Sequence, residues 1–309
     1  MSTLIFGHKS PDTDAITSAI TFAQYEKLSG NTDVEGVALG TPNDETKYAL
    51  DFFKVEAPRV IPKAAPETDT VELVDHNEAQ QSVDDRAEVT ITKVIDHHRV
   101  ANFETAAPLY MNIQPLGSCQ SIIYGMYQDA GFEITPTTAG LMASGLISDT
   151  LLLKSPTTTA RDKQIFAELQ QIAGIDLSEY GLNMLKAGTN LAARTDKDLI
   201  DGDAKTFDMN GTKVRVAQIN TVDLNEIYAR QDAIEAAMQA EVDADGYGLF
   251  LTVATDILNS NSVGIALGAT DKVEAAFGKQ FDANKRMDLP GVVSRKKQVV
   301  PQLTAAFEK

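Results

Sequence analysis

Short apolar runs and longer amphipathic stretches alternate in the first half of the chain. Three of the apolar runs, Thr3–Phe6, Val71–Val74 and Ile91–Ile95, have the length and aliphatic content of buried strands. The same pattern predicts two further strands and four helices: strands at Val34–Leu39 and Leu109–Ile113, and helices at Ala15–Leu28, Asn43–Phe53, Ser118–Ala130 and Thr137–Leu151. Strands that alternate with helices are typical of βαβ units. The first half is therefore predicted to be an α/β domain with a parallel sheet.

The second half has a different pattern. Two strand-like runs, Lys205–Phe207 and Val214–Ile219, flank the pair Asn210-Gly211, and Asn-Gly between strands is a hairpin signal. A helix and two more strands are predicted after the hairpin, namely Asp223–Val242, Leu249–Ala254 and Val263–Leu267. This order favours a smaller α/β domain with a mixed sheet.

Small residues at 187–193, Ala-Gly-Thr-Asn-Leu-Ala-Ala, suit a hinge between the two halves. We therefore predict a first domain at residues 1–188, a linker at 189–195 and a second domain at 196–309. Boundaries drawn from sequence pattern carry errors of several residues.

The chain is strongly acidic. Its 309 residues include 27 Lys and Arg against 44 Asp and Glu, which gives a formal net charge of −17. This charge argues against general binding of nucleic acid, because it repels the phosphate backbone. An anionic ligand would have to meet bound metal ions or a concentrated cluster of basic residues.

Features that would direct the chain to a membrane or out of the cell are not found in the sequence. No stretch approaches the ~18 consecutive apolar residues of a transmembrane helix, and the first residues lack the pattern of a signal peptide. The single cysteine, Cys119, excludes an intrachain disulfide and fits a reducing compartment. We therefore expect a cytoplasmic protein without membrane association.

Candidate chemistry is concentrated near the ends of three predicted strands. The four histidines of the chain occur in three short strings that also contain aspartate: Gly7-His8-Lys9-Ser10-Pro11-Asp12-Thr13-Asp14, Asp75-His76-Asn77 and Asp96-His97-His98. Each string follows one of the strands Thr3–Phe6, Val71–Val74 and Ile91–Ile95. Because ligands bind at the carboxyl ends of parallel strands, the three strings are expected to converge at one edge of the sheet.

Aspartate and histidine together are ligands for divalent transition metals. A carboxylate-rich site with few imidazoles suits Mn²⁺, Co²⁺ or Fe²⁺ better than a closed zinc site. Asp12 and Asp14 are two residues apart, so both can face one side of an extended loop. His97 and His98 are adjacent, so in an extended segment they point opposite ways, and one would bind metal while the other faces substrate. The number of carboxylates is sufficient for two metals, an arrangement that recurs in phosphoryl hydrolysis.

Each string also has an ordinary structural interpretation. A single Asp-His pair is more often a hydrogen-bonded pair than a metal site, and Asp12-Thr13-Asp14 could simply cap the helix that follows. Ser294–Gln298, with its three cations, could be a solvated basic turn at the start of the last helix. The joint occurrence of three strings, each after a strand, favours a metal site.

These strings resemble the motifs of the family II, DHH-type inorganic pyrophosphatases. The first three motifs of that family are similar to the three strings above, the fourth to Gly145–Thr150 and the C-terminal one to Ser294–Gln298. Five motifs in order, spread from residue 7 to residue 298, make the resemblance specific and nearly as long as the chain. It implies a Rossmann-like DHH domain, a smaller DHHA2-type domain and hydrolysis of pyrophosphate to two orthophosphates.

The resemblance also implies roles for individual residues. One metal ion would be held by His8, Asp12 and Asp75, and the second by Asp14, Asp75, His97 and Asp149. Asp75, which bridges the metals, and His98 would be the catalytic residues. The phosphates would be bound by four residues: His98, Lys205, Arg295 and Lys296.

The implied reaction is in-line attack on pyrophosphate by a water that two metal ions activate, with the second domain closing over the substrate. The implied cofactors are two Mn²⁺ per active site, for which Co²⁺ can substitute, and Mg²⁺ carried with the substrate. The implied assembly is a homodimer.

Two other functions are compatible with parts of the sequence. The first is another DHH phosphoesterase, such as a single-strand exonuclease, a dinucleotide phosphodiesterase or an exopolyphosphatase. Nuclease members carry a histidine in the C-terminal domain, whereas this chain has none after His98. The second is a metal-binding protein without catalysis, which would not need Arg295 and Lys296.

Overall fold

A computed structural model describes residues 2–308 of the chain. The chain divides into two compact units, residues 1–188 and 189–309. Within the described residues, none of the helices has the length and the apolar character that crossing a bilayer requires.

The first unit is built on a parallel sheet with helices between its strands. Its strands are β1 (Thr3–Phe6), β2 (Val34–Gly36), β3 (Thr70–Val74), β4 (Thr90–Asp96) and β5 (Tyr110–Ile113). Its helices are α1 (Thr13–Leu28), α2 (Asp44–Phe53), α3 (Cys119–Ala130), α4 (Pro136–Thr150), α5 (Ala160–Ala173) and α6 (Leu177–Thr189). The strands that the structure describes here lie in the order β2-β1-β3-β4-β5, and every neighbouring pair is parallel.

The apolar runs that predicted the strands become the core of this unit. Leu4, Phe6, Leu73 and Val94 are fully or almost fully buried and pack in one cluster. A parallel sheet covered by helices on both faces requires such continuous apolar strands. The core therefore fixes the positions at which β1, β3 and β4 end.

Helices α5 and α6 were not predicted, and the bounds of α1 and β2 differ from the predictions in ways that bear on the site. Helix α1 begins at Thr13 rather than Ala15, because the Asp12 side chain caps it by accepting a hydrogen bond from the Ala15 amide at 3.0 Å. The Asp12–Asp14 segment is thus the first turn of a helix, and the prediction of an extended loop was wrong. Strand β2 ends at Gly36 instead of Leu39; a Cβ on Gly36 would lie 2.6 Å from the Ala19 carbonyl oxygen, so β2 packs tightly against α1.

The second unit contains a mixed sheet. Its strands are β6 (Ala204–Met209), β7 (Thr212–Thr221), β8 (Leu249–Asp256), β9 (Asn261–Gly268) and β10 (Met287–Pro290). Its helices are α7 (Asp196–Asp201), α8 (Leu224–Tyr228), α9 (Gln231–Asp245), α10 (Thr270–Phe277) and α11 (Val300–Phe307). The strands of the described chain lie in the order β10-β9-β8-β7-β6, and only β7 and β8 are parallel. The predicted fold class, a parallel-sheet α/β domain followed by a mixed-sheet α/β domain, is confirmed.

Turn residues explain one correct and one wrong prediction in this unit. The hairpin of β6 and β7 is confirmed: Asn210 and Gly211 have φ of 52° and 79°, which a tight hairpin turn requires. The single helix predicted from Asp223 to Val242 was wrong, because the chain breaks between α8 and α9 at Arg230. The guanidinium of Arg230 donates hydrogen bonds of 2.7 Å to the carbonyls of Leu191 and Arg194. These long-range bonds override the local helical pattern.

Candidate active site

The carboxyl ends of three neighbouring strands form the candidate metal centre. In the sheet β1 lies beside β3 and β3 beside β4, so the segments that follow these strands meet at one edge. The topology also reverses here, since β2 lies on one side of β1 and β3 on the other, and such a point is where α/β sheets bind ligands. Three groups of ligand atoms form at this edge, each with its atoms within 4.8 Å of one another. Two of them, called the ligand groups below, are His8, Asp12 and Asp75; and Asp14, Asp75, His97 and Asp149. The third, Asp75, His97 and His98, overlaps the second.

Asp75 belongs to both ligand groups. It is 1% exposed, and among the described residues its carboxylate oxygens have no hydrogen-bond partner besides the candidate ligands His97 and His8, whose Nε2 atoms lie 3.1 Å and 3.5 Å away. Its backbone has φ of 57°, a left-handed conformation that is strained for a non-glycine residue and that tends to occur at functional sites. Burial, together with the nearby Asp14 carboxylate, raises the pKa of Asp75 well above its usual range. A carboxylate that is buried among other carboxylates in this way requires a cation or a proton.

His8 and His97 present the same ring atom to this cluster. The Nδ1 atom of His8 donates to the Lys9 carbonyl at 2.8 Å, and Nδ1 of His97 donates to the Leu116 carbonyl at 3.1 Å. These bonds leave each Nε2 as the ligand atom. Nε2 of His8 lies 3.3 Å from Asp12 Oδ2, and Nε2 of His97 lies 3.1 Å from Asp75 Oδ1. A carbonyl that fixes the ring in this way is the usual support of a metal-binding histidine.

The remaining carboxylates are held by helix termini. Asp14 is fully buried and accepts hydrogen bonds from the Cys119 amide at 2.7 Å and the Gln120 amide at 3.3 Å, at the start of α3. Asp149, at the end of α4, has Oδ2 at 3.2 Å from Nε2 of His97. Burial alone would lower the pKa of His97, but the Asp149 and Asp75 carboxylates outweigh it and raise this pKa to about 12.

The donor set fits divalent metal ions of the manganese type. The two ligand groups together contain four carboxylates and two imidazoles, and Asp75 is a member of both. Hard oxygen ligands with a minority of nitrogen suit Mn²⁺, and a shared carboxylate is the arrangement of a two-metal site. Among the described residues, the oxygens of Asp75 and Nε2 of His97 contact only other candidate ligands, so these are the atoms that such ions would satisfy.

His98 shares the third group with Asp75 and His97, but its environment is different. Its Nδ1 donates to Asp96 Oδ1 at 2.9 Å, and the buried Asp96 also accepts a 2.6 Å hydrogen bond from Asn77 Nδ2. The His98 side chain is 48% exposed and lines an open cavity of about 550 Å³ together with Asp12 and Asp149. The rings of His97 and His98 are only 4.2 Å apart, so the prediction that they point opposite ways was wrong. The chain leaves the extended conformation after Asp96, and strand alternation no longer applies.

His76 is a core residue. It is fully buried, its Nδ1 donates to the Val74 carbonyl at 2.9 Å, and its ring stacks on Phe6 at 6.1 Å between centroids. Burial lowers its pKa to about 4. It belongs to none of the candidate metal groups of residues 2–308. The Asp-His pair at Asp75 therefore supplies only its aspartate to the site.

A second cavity, of about 450 Å³, lies in the second unit and is lined by Arg295 and Lys296. Ser294 caps a π-helical turn, Arg295–Val299, which runs directly into α11. Arg295 is 9% exposed; its Nη2 lies 2.8 Å from Asp203 Oδ1, and its Nη1 donates to the Asp203 carbonyl. Lys296 is exposed. Arg295 is thus anchored by Asp203, whereas the Lys296 side chain is open to solvent.

Lys205 is not among the residues that line this cavity. It is an exposed residue of β6, two positions before Phe207, which packs against the cluster containing Val299. Residues two apart on a strand share a face of the sheet. Lys205 therefore lies on the face against which the Arg295–Val299 turn packs.

Several residues that support the site have no signal in the sequence pattern. The Leu116 carbonyl and the Cys119 amide hold His97 and Asp14, but they are backbone atoms, so any residue type could supply them. Asn77 and Asp96 lie in the strings that the sequence analysis singled out, yet it gave them no role in the site. Their pairing with His98 depends on how the chain turns after β3 and β4.

Comparisons with known proteins agree with this architecture. The sequence model of the DHH family, N-terminal domain, matches residues 2–146, and that of the DHHA2 domain matches residues 182–306. A protein of Lactiplantibacillus plantarum named as a probable manganese-dependent inorganic pyrophosphatase is 58% identical over 98% of both chains. A protein of the same name from Streptococcus agalactiae serotype III is 56% identical over 98% of both chains.

Solved structures give the same result. A Methanococcus jannaschii protein described as a family II inorganic pyrophosphatase is 36% identical, with a TM-score of 0.61 over 100% of both chains. An exopolyphosphatase-related protein from Bacteroides fragilis shares the fold at 14% identity, with a TM-score of 0.52 over 99% of this chain and 92% of its own. The fold and the site define a two-domain protein of the DHH–DHHA2 type. Within that class, the chain belongs to the family of manganese-dependent inorganic pyrophosphatases.

Proposed function

We propose that this protein hydrolyses pyrophosphate to two orthophosphates with bound divalent metal ions. The observation that carries the proposal is the position of Asp75, which is shared by the two ligand groups and is buried with its oxygens facing only other candidate ligands among the described residues. The names of the relatives that share almost the whole chain support pyrophosphate as the substrate.

The ligand groups indicate which residues would hold each ion. His8, Asp12 and Asp75 would bind one Mn²⁺, and the second would be bound by Asp14, Asp75, His97 and Asp149. When bound, the two ions supply Lewis-acid activation of the attacking water and of the phosphoryl group for an in-line displacement. The carbonyls of Lys9 and Leu116 accept hydrogen bonds from Nδ1 of His8 and His97. They thereby keep both rings in the tautomer whose Nε2 can bind metal.

Other residues of the chain would act on the substrate itself. His98 lines the cavity and its Nδ1 is held by Asp96, so the protonated ring can donate a proton from Nε2 to the leaving phosphate. Arg295, Lys296 and Lys205 would offset the charge of the phosphates. Because these cations and the metal ligands belong to different units, we propose that the second domain closes over pyrophosphate.

Phosphate release by metal-stripped protein tests the proposed function. Protein reloaded with Mn²⁺ is assayed with pyrophosphate in the presence of Mg²⁺, and long-chain polyphosphate and a dinucleotide are assayed in parallel. We expect rapid release from pyrophosphate alone, lost on chelation and restored by Mn²⁺. Turnover of polyphosphate or dinucleotide without pyrophosphate would contradict the proposed substrate, and no turnover of any of the three would contradict an enzymatic role.

Replacing Lys296 with Ala is expected to lower kcat/KM for pyrophosphate by about 10- to 100-fold, since a hydrogen bond to a charged group contributes ~1.5–3 kcal/mol. Lys297 is the matched control, because it is exposed and adjacent but does not line the cavity. Steady-state kinetics of both variants under saturating Mn²⁺ make the comparison. Equal losses in the two variants would show that general surface charge, and not a site at Lys296, binds the substrate.

The proposal extends to the metal ions, the location and the assembly of the protein. Carboxylate and imidazole ligands also suit Co²⁺, which we propose as a substitute for Mn²⁺, and Mg²⁺ is proposed to enter with pyrophosphate. The single cysteine supports a cytoplasmic location. A homodimer is proposed from the resemblance to the family alone.

A further inference from the structure

A glutamate outside both ligand groups connects the segments that carry the ligands. Glu45, in the first turn of α2, accepts two hydrogen bonds at Oε1: one from Thr13 Oγ1 at 2.7 Å and one from Ser148 Oγ at 2.5 Å. These two hydroxyls belong to helices α1 and α4, which are far apart in sequence. One oxygen atom of Glu45 thus joins three helices.

The two residues that donate these hydrogen bonds lie next to candidate metal ligands in the sequence. Thr13 stands between Asp12 and Asp14, and Ser148 immediately precedes Asp149. Asp12 belongs to one group of ligand atoms, whereas Asp14 and Asp149 belong to the other. A displacement of α1 relative to α4 would therefore change the spacing within the second group and between the two groups.

We infer that Glu45 is a positioning residue that sets the distance between the α1 and α4 ligand segments and so determines how tightly the site binds Mn²⁺. The inference rests on the proposed metal site, but it does not depend on which phosphate compound is the substrate. Glu45 itself contacts hydroxyls rather than ligand atoms, so it acts through Thr13 and Ser148.

The surroundings of Glu45 restrict its movement. Asn43 caps α2 by accepting a 2.8 Å hydrogen bond from the Thr46 amide, and Thr46 Oγ1 lies 3.0 Å from Thr13 Oγ1. On the other side the chain passes so close at Gly188 that a Cβ there would lie 2.9 Å from Glu45 Oε2. The carboxylate is thus confined by α1, α4 and the end of α6. A side chain confined on three sides can transmit a fixed spacing.

The inference is tested by the affinity of metal-stripped protein for Mn²⁺, measured without substrate by titration with detection of free Mn²⁺. Glu45→Ala is expected to weaken Mn²⁺ binding by about 10- to 100-fold, the usual effect of removing a group that supports metal ligands. Glu45→Gln is expected to retain most of the affinity, because its amide oxygen can accept both hydroxyl hydrogen bonds.

Glu168→Ala is the matched control. Glu168 also accepts a hydrogen bond from a hydroxyl of another helix, Tyr124 Oη at 2.6 Å, but neither residue is next to a ligand. Thermal unfolding of each metal-free variant separates the loss of a helix–helix link from the loss of affinity. We expect Glu168→Ala to bind Mn²⁺ as the wild type does.

Gly188→Ala provides an independent variant. Its new Cβ would push the Glu45 carboxylate away, so Mn²⁺ binding should weaken, and the effect should vanish when Glu45 is already Ala. Wild-type affinity in Glu45→Ala, even with a lower unfolding temperature, would overturn the inference and leave the proposed function intact. A wild-type protein that binds no Mn²⁺ would instead overturn the proposed function itself.

Discussion

Asp75→Asn is expected to abolish high-affinity Mn²⁺ binding and to lower phosphate release from pyrophosphate by at least about 1000-fold. Asp75 is the residue common to both ligand groups, so its loss removes a ligand from each ion. Metal ions contribute several kcal/mol of charge stabilisation to such a reaction, and each ~1.4 kcal/mol corresponds to a tenfold change in rate. Titration with Mn²⁺ and steady-state kinetics measure the two effects.

The same substitution is expected to stabilise the metal-free protein. The pKa of Asp75 is raised by burial and by Asp14, so the unfolded chain ionises this group more readily than the folded chain does. Ionisation of Asp75 therefore opposes folding as the pH rises above the ordinary carboxyl range, and Asn removes this penalty. Each ~1 kcal/mol so recovered raises Tm by about 2–4 °C for a domain of this size. Asn also tolerates the positive φ at position 75 better than most residues do.

Substitution of a surface carboxylate is the control that separates these effects from a change in net charge. Asp84 is exposed and paired with Lys9, and Asp84→Asn alters charge by the same amount. It should leave both Mn²⁺ affinity and turnover close to wild type. Retention of tight Mn²⁺ binding by Asp75→Asn would show that the two ligand groups do not depend on a shared residue.

The positions of His8, Asp75 and His97 could be predicted from sequence because one physical rule covers them. Apolar runs long enough to be buried strands must enter the core, and parallel strands deliver their following residues to a common edge. The strings after β1, β3 and β4 therefore had to converge, whatever lay between them. The direction of each side chain could not be predicted from this rule. His76 follows Asp75 directly, yet its bond to the Val74 carbonyl and its packing on Phe6 take it into the core.

Residues that are held in place by long-range contacts could not be predicted from the local sequence pattern. The sequence around Arg295 is typical of a solvated basic turn. In the structure, however, Arg295 is buried and binds Asp203, which lies 92 positions earlier in the chain. Asp149 was identified only through the resemblance. After it the chain makes a left-handed turn in which Leu151, Leu152 and Leu153 have φ of 47°, 54° and 64°. Leucine has no preference for that conformation, so tertiary packing must impose it.

His98→Gln is expected to lower kcat by about 100- to 10,000-fold, the range that proton transfer contributes to catalysis, while leaving Mn²⁺ affinity within a few-fold of wild type. The His98 Nδ1 atom is engaged with Asp96, so the ring approaches substrate with Nε2. A glutamine amide can occupy a similar position and donate a hydrogen bond, but it cannot transfer a proton. Binding of Mn²⁺ should therefore be largely kept, whereas turnover should be lost. Mn²⁺ titration measures the first effect and rapid-quench kinetics the second.

A companion variant examines the role of Asp96. Asp96→Asn keeps the shape of the side chain but removes the charge that supports His98, and it should lower kcat less than His98→Gln does. With His98 already replaced by Gln, the Asp96 substitution should have little further effect on kcat, because residues that act as a unit are not additive. Additive losses would mean that Asp96 serves the site by another route, through Asn77 and the turn that follows β4. Full turnover in His98→Gln would exclude His98 as the proton donor and leave the cations of the second unit to stabilise the leaving phosphate.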